Sequence, residues 1–301
     1  MMKNILIVGT GALGTLFAAR LAASGANVTL LGTWKHAIEA FNSEGARLLQ
    51  PDGSGIQLSV RATDDPSECK DADLAIVLVK AWQTERAARQ LEKCLPEHGF
   101  AVTLQNGLGN REILSAQLGA ERVVLGVTTT GATLLGPGMA RMGGEGLISL
   151  EAHPRSRELS GQLRGAGFRV DIVSDANALV WGKLVVNTAI NPLTALLRIP
   201  NGALLERPDS RLLMAALARE TTAVATKLGV LLPFVDPVSM VEDVARRTAA
   251  NRSSMFQDVK RGAQTEIDAI CGAVTRAGEE HGVSVPVNWM MWRLVSALSA
   301  V

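Results

Sequence analysis

Residues 4 to 14 read Asn-Ile-Leu-Ile-Val-Gly-Thr-Gly-Ala-Leu-Gly. The branched apolar run from Asn4 to Val8 passes directly into Gly9-Thr10-Gly11-Ala12-Leu13-Gly14, and beyond it Leu16, Phe17 and Leu21 recur at helical spacing. This is the pattern of a strand, a glycine turn and the opening of an amphipathic helix. In such a turn the first glycine allows the tight reversal, the second lets the backbone approach a pyrophosphate, and the third lets the helix pack close to the strand. The helix N-terminus adds partial positive charge for the phosphates. A turn kept only for its shape is the plainer reading of the bare motif, but its place between strand and helix favours a dinucleotide site.

Outward from this stretch, short apolar runs at 27–31, 74–79, 100–104 and 123–129 alternate with helix-compatible stretches at 12–24, 82–94 and 110–118. Such alternation predicts a parallel sheet with crossover helices. The Pro-Asp-Gly-Ser-Gly punctuation between Leu48 and Val60 predicts a hairpin inserted in a crossover, and Gly136-Pro137-Gly138 a second turn between extended segments. From about residue 176 long helical patterns follow one another, at 176–198, 209–229, 237–260, 265–281 and 287–300, with breaks at Pro200, Pro233 and Gly262. The expected architecture is α/β, with an N-terminal dinucleotide-binding domain at 1–174 and an all-helical domain at 175–301, without internal repeats.

The 301 residues are 47% apolar and 20% charged, with a formal charge of +1. That composition argues against a disordered chain, and the balanced charge argues against nucleic acid as the main partner. No window reaches the roughly 18 consecutive apolar residues of a membrane span. The apolar run within Met1 to Gly9 is too short for a secretory signal and leads into a turn. Cys69, Cys94 and Cys271 are odd in number and widely spaced, so neither a disulfide framework nor a zinc site is expected, and the chain reads as cytoplasmic. The four scattered histidines give no metal site either.

The cofactor's adenosine ribose should meet the end of the second strand, where an NAD site normally carries an acid. Between Gly25 and Ala37 there is none, whereas Thr33, Lys35 and His36 are available to a 2′-phosphate. NADP is therefore favoured, with NAD the alternative; the plainer reading of Lys35 is a solvated residue in a helix's first turn. Lys80 and Asn106 follow two later strands where a bound cofactor would run, although each is also an ordinary strand end.

Within the apolar stretch 176–197, Lys183, Asn187 and Asn191 recur at intervals of four, and so share one helix face. Burial of such groups without partners is costly. A lysine snorkelling to water beside two structural asparagines is the bland account, but Pro192 cannot donate to the carbonyl of Thr188, so a kink is expected just where the last asparagine must aim. A lysine whose pKa is lowered by desolvation is a credible general acid, and reduction of a ketone needs a proton at the developing alkoxide. Further on, in one continuous helix from 251 to 268, Ser254 and Glu266 would be separated by about 18 Å. Gly262 as a residue past a helix end, and Thr265 as a cap completed by Asp268, predict a break that returns Glu266 toward Ser254. Otherwise Glu266 is only a first-turn acid complementing the helix dipole.

With these residues in view, the chain resembles the ketopantoate reductase (2-dehydropantoate 2-reductase) family over nearly its whole length. The resemblance rests on GTGALG at 9–14, VKAWQ at 79–83, QNGLG at 105–109, WGKLVVNTAINPLTAL at 181–196, PNG at 200–202, NRSSM at 251–255 and TEID at 265–268, in the family's order. It implies a Rossmann-like N-terminal domain, and NADPH-dependent reduction of 2-dehydropantoate to (R)-pantoate on the route to pantothenate and coenzyme A. It further implies Lys183 as proton donor, Asn187, Asn191 and Asn201 in contact with the ketoacid, and Asn251 and Ser254 at its carboxylate. Glu266 becomes the acid at the junction of substrate and cofactor, with Lys80 and Asn106 touching the cofactor. One departure is Thr33, where many members have an arginine for the 2′-phosphate. The partner implied is a small 2-oxo acid, with neither nucleic acid nor membrane, and a homodimer is compatible with the resemblance. The competing readings are a same-fold reductase of another 2-oxo acid, a 3-hydroxy-acid or sugar-acid dehydrogenase with a lysine-bearing helical domain, and a dinucleotide sensor without turnover. A sensor has no need of Lys183.

Overall fold

The computed structural model describes residues 4–50 and 52–298. Pro51 of the expected hairpin turn and positions 299–300 of the last expected helix lie outside them. Two compact units divide the chain, one of residues 1–105 and 110–176, the other of 106–109 and 177–301.

The first unit runs β1 (Asn4–Val8), α1 (Ala12–Ala23), β2 (Asn27–Leu31), α2 (Lys35–Glu44), β3 (Ala46–Leu49), β4 (Gly55–Leu58), β5 (Arg61–Thr63), β6 (Leu74–Val77), α3 (Thr84–Cys94), β7 (Phe100–Thr103) and α4 (Asn110–Leu118). It continues through β8 (Val123–Thr128), β9 (Ala132–Gly136), β10 (Met139–Met142), β11 (Leu147–Glu151), α5 (Ser156–Gly165) and β12 (Arg169–Val173). Eight strands form one sheet in the order β12-β11-β8-β7-β6-β1-β2-β5. Its pairs are parallel except β11 with β8. From β5 to β8 this is the doubly wound order 3-2-1-4-5-6, whose switch point falls beside β1. Strands β6, β7 and β8 are buried throughout, which is why they read as unbroken apolar runs.

A second sheet, β4-β3-β10-β9, contains the expected hairpin as antiparallel β3 and β4. It packs against α1, which also lies on the main sheet. That explains the apolar character of α1 on more than one face. Phe17 of α1 stacks on Phe168 with ring centroids 4.4 Å apart.

The second unit contains α6 (Ala176–Leu197), α7 (Pro208–Lys227), α8 (Pro237–Arg247), α9 (Ser254–Lys260), α10 (Ala273–His281) and α11 (Pro286–Leu298). Its core gathers Trp181, Leu184, Leu193, Leu217, Val241, Phe256 and Ile270. The hydroxyls of Thr188 and Thr221 pair at 2.9 Å between α6 and α7. The Glu220 carboxylate accepts from the backbone N–H groups of Val287 and Asn288 at 2.9 and 2.8 Å, capping α11. Among the described residues no helix is long and apolar enough to cross a membrane, and all three cysteines are free and buried.

Three expectations need correction. The pattern at 237–260 is two helices, because the intervening backbone turns to serve another segment: Asn201 N–H donates to Asn251 O at 3.0 Å, and Gly202 N–H to Ala249 O at 3.1 Å. The pattern at 265–281 opens with a π-helical turn at Asp268–Gly272 before α10, with Gly272 N–H reaching Ile267 O at 3.0 Å. Asp268 does not complete a cap at Thr265; its carboxylate is paired instead with the Arg276 guanidinium at 2.9 Å, and Arg276 also donates to the Asp268 carbonyl at 3.0 Å.

Candidate active site

In the first unit the glycine turn follows β1 at the switch point. Gly9 has φ +127°, and a Cβ there would sit 3.0 Å from the backbone of Leu78; at Gly14 a Cβ would lie 2.1 Å from the Gly9 carbonyl oxygen. Both glycines are thus demanded by the protein's own packing. Gly11 is different. A Cβ there would meet nothing within 4 Å, and its backbone is extended with φ −86°. Gly11 keeps open a surface that only a ligand needs, at the N-terminus of a helix with no capping side chain and no first-turn acid. The turn therefore fits a dinucleotide pyrophosphate. Thr10 is buried against Gly32, where a Cβ would come 2.5 Å from its methyl group.

Past β2, Thr33 and Lys35 are exposed, and Lys35 opens α2, whose first turn holds no acid. Lys80 is half-buried and stands three residues beyond the end of β6. Its loop is held by Gln105, whose amide donates to Val79 O at 2.9 Å and to Thr84 Oγ1 at 2.8 Å. Thr84 in turn donates to Asn110 Oδ1 at 2.7 Å. Sequence reading overlooked this network, since single polar residues at strand ends give no periodic signal.

In the second unit, Lys183, Asn187 and Asn191 lie along α6, which continues through Pro192. Asn191 is buried, whereas Lys183 and Asn187 retain partial exposure. Surrounding protein desolvates the Lys183 ammonium and lowers its pKa to about 8, with the Glu266 carboxylate opposing the fall. Asn106 Nδ2 donates to Glu266 Oε2 at 3.2 Å. The loop carrying Asn106 is clasped to the π-helical turn: Leu108 N–H donates to Ala269 O at 3.0 Å, and Gly107, at φ +84°, would place a Cβ 2.5 Å from that oxygen. Only glycine fits there. The structure thus brings Asn106, Lys183 and Glu266 together.

The expected break between Ser254 and Glu266 is present. Gly262, at φ +65°, ends α9 with paired contacts from Ala263 N–H to Asp258 O and from Gly262 N–H to Val259 O, at 2.9 and 3.1 Å. Thr265 Oγ1 accepts from Ile267 N–H at 3.4 Å. Ser254 opens α9, capped by Ser253. Asn201 is buried; its Nδ2 donates to Thr248 Oγ1 at 2.9 Å, while its Oδ1 is buried without a hydrogen-bond partner. Among the described residues no group of acids, histidines and cysteines could hold a metal ion.

A dinucleotide-accepting turn at a switch point, and a lysine desolvated beside a carboxylate, define an oxidoreductase of the dinucleotide-binding class. Its kin narrow the description. The family model described as ketopantoate reductase PanE/ApbA matches residues 5–155, and its C-terminal counterpart matches 175–299; the chain belongs to the ketopantoate reductase family. It is 36% identical over 307 aligned residues to the 2-dehydropantoate 2-reductase of Archaeoglobus fulgidus, covering 99% of both chains. It is 35% identical to that of Halobacterium salinarum, covering 94% of this chain and 95% of the other. Its fold matches a PanE/ApbA family ketopantoate reductase from Ralstonia eutropha JMP134 with a TM-score of 0.92, 30% identity and 98% coverage of each chain. It also matches a D-mandelate dehydrogenase, solved with NADH and anilino(oxo)acetate, with a TM-score of 0.92, 26% identity and 98% coverage of each chain.

Proposed function

We propose that the protein reduces 2-dehydropantoate to (R)-pantoate with NADPH as reductant, the step that leads toward pantothenate and coenzyme A. The observation that carries this reading is Lys183: a buried-side ammonium with a pKa of about 8, set on the same helix face as Asn187 and Asn191. Such an acid is largely protonated at neutral pH and loses its proton readily. Family membership, and relatives named for this reaction, support the substrate assignment.

Residues 9–14 hold the dinucleotide's pyrophosphate, with Lys80 and Asn106 further along it and Thr33 and Lys35 near the adenosine ribose. When bound, the cofactor supplies the hydride. Lys183 donates its proton to the substrate's carbonyl oxygen, neutralising the charge that develops there. Glu266 keeps Lys183 charged and fixes Asn106. Asn187 and Asn191 orient the ketoacid; Asn251 and Ser254 take its carboxylate at the start of α9. Asn201 joins them in contact with the ketoacid, as the family resemblance implies.

The similarity to D-mandelate dehydrogenase favours, as the second reading, another 2-oxo acid on the same machinery. NADPH oxidation measured with 2-dehydropantoate beside pyruvate, 2-oxoisovalerate and phenylglyoxylate separates the two. The highest kcat/KM belongs to 2-dehydropantoate on the first reading, and to one of the others on the second.

A further inference from the structure

Helix α6 and the start of α9 are joined by two buried hydroxyls. Thr194 Oγ1 and Ser253 Oγ lie 2.7 Å apart, and both residues are buried. Thr194 Oγ1 also lies 2.9 Å from Ile190 O and 3.0 Å from Asn191 O. Carbonyl oxygens only accept, so the single Thr194 proton is committed to them, and Thr194 must accept from Ser253. The Ser253 proton is then spent as well, which leaves the Ser253 oxygen to accept from Phe256 N–H at 3.0 Å. The Ser253 proton goes to Thr194, and the Thr194 proton is shared between the carbonyls of Ile190 and Asn191. The relay runs from the first turn of α9, through Ser253 and Thr194, to the backbone of α6 at Ile190 and Asn191.

We infer that Thr194 and Ser253 are positioning residues that set Asn191 of α6 against Ser254 of α9, and so fix the spacing of the substrate's carboxylate contacts. The inference rests on the reading of Asn191 and Ser254 as ketoacid ligands. A one-ångström error between two such donors weakens binding without touching the proton donor. Helix packing alone would hold α6 and α9 in contact, but it tolerates small slides that a directional hydrogen-bond chain forbids. Neither hydroxyl needs to touch substrate for this role.

The test is steady-state kinetics with 2-dehydropantoate and NADPH on Thr194→Val, Thr194→Ser, Ser253→Ala, the Thr194→Val/Ser253→Ala pair, and Ser254→Ala. Thr194→Val should raise KM for the ketoacid about tenfold, the scale of one buried hydrogen bond, with kcat and the KM for NADPH within about twofold. Thr194→Ser, which restores the hydroxyl, should return KM to the parent value. In the double variant the KM effects should not multiply, because either change alone already breaks the chain. If Thr194→Val does not fold, Thr194→Cys, of similar size and a weak donor, takes its place. Multiplying effects, an unchanged ketoacid KM in the Thr194 variant, or equal loss toward both substrates would overturn the relay. Ser254→Ala separates the two levels: if it leaves the ketoacid KM unchanged, the underlying ligand reading fails, whereas a raised KM there beside an unaffected Thr194 variant refutes the relay alone.

Discussion

Glu266 opposes the desolvation of Lys183: burial pulls the lysine's pKa down from 10.5 to about 8, and the carboxylate holds it from falling further. Asn106 fixes that carboxylate through a 3.2 Å hydrogen bond. The proton donor's strength is thus set first by burial and then moderated by a residue 83 positions away in sequence, at the edge of a π-helical turn, a feature frequent at functional sites.

The pH dependence follows in sign. Turnover needs the protonated lysine, so kcat should fall as pH rises through about 8. Glu266→Gln removes the charge that favours the ammonium, and the fall should begin roughly one unit lower. The kcat profile of parent and variant is the measurement; a descending limb that stays in place or moves upward shows that Glu266 does not tune Lys183.

The glycine turn makes a paired prediction. Gly11→Ala meets no neighbouring atom and keeps an ordinary backbone conformation, so Tm should shift by no more than about 2 °C. Affinity for NADPH should fall at least about tenfold as the methyl group occupies the pyrophosphate's approach. Gly14→Ala should instead lower Tm substantially, since its Cβ would overlap the Gly9 carbonyl at 2.1 Å. Thermal melts with and without NADPH distinguish the cases, and a Gly11→Ala variant that binds normally removes the pyrophosphate from that turn.

Much of the first unit was legible because buried parallel strands are short, continuous and apolar: β1 and β2 match their expected bounds, and β6, β7 and β8 end one or two residues early. The partly exposed β9 and β12, by contrast, carry mixed burial that blurs the pattern. The strand β5 is only three residues long, too short for periodicity to register. In the second unit the Lys183 stripe could be read from spacing alone, and the Gly262 break from its residue type. The gap between α8 and α9 could not, because it depends on a tertiary pairing with Asn201 and Gly202. Nor could the Thr194 and Ser253 link, which joins residues 59 apart and whose serine lies inside what reads as one continuous pattern over 237–260.

Cofactor choice is tested at Lys35. Its ammonium is exposed at the start of α2, with no acid in the first turn to repel a 2′-phosphate. Lys35→Ala should lower kcat/KM for NADPH several-fold and leave NADH nearly unchanged, with the difference shrinking as salt is added. A parent that prefers NADH, or a variant that weakens both cofactors alike, refutes phosphate recognition by Lys35.

Single-turnover reduction of 2-dehydropantoate by Lys183→Ala, with NADPH affinity measured on the same preparation, tests the central assignment most directly. The predicted result is a chemical step slowed by about 10² to 10⁴ with cofactor affinity retained, because the glycine turn belongs to the other unit. A rate near that of the parent would mean that the polar face of α6 is structural and that the proton comes from elsewhere.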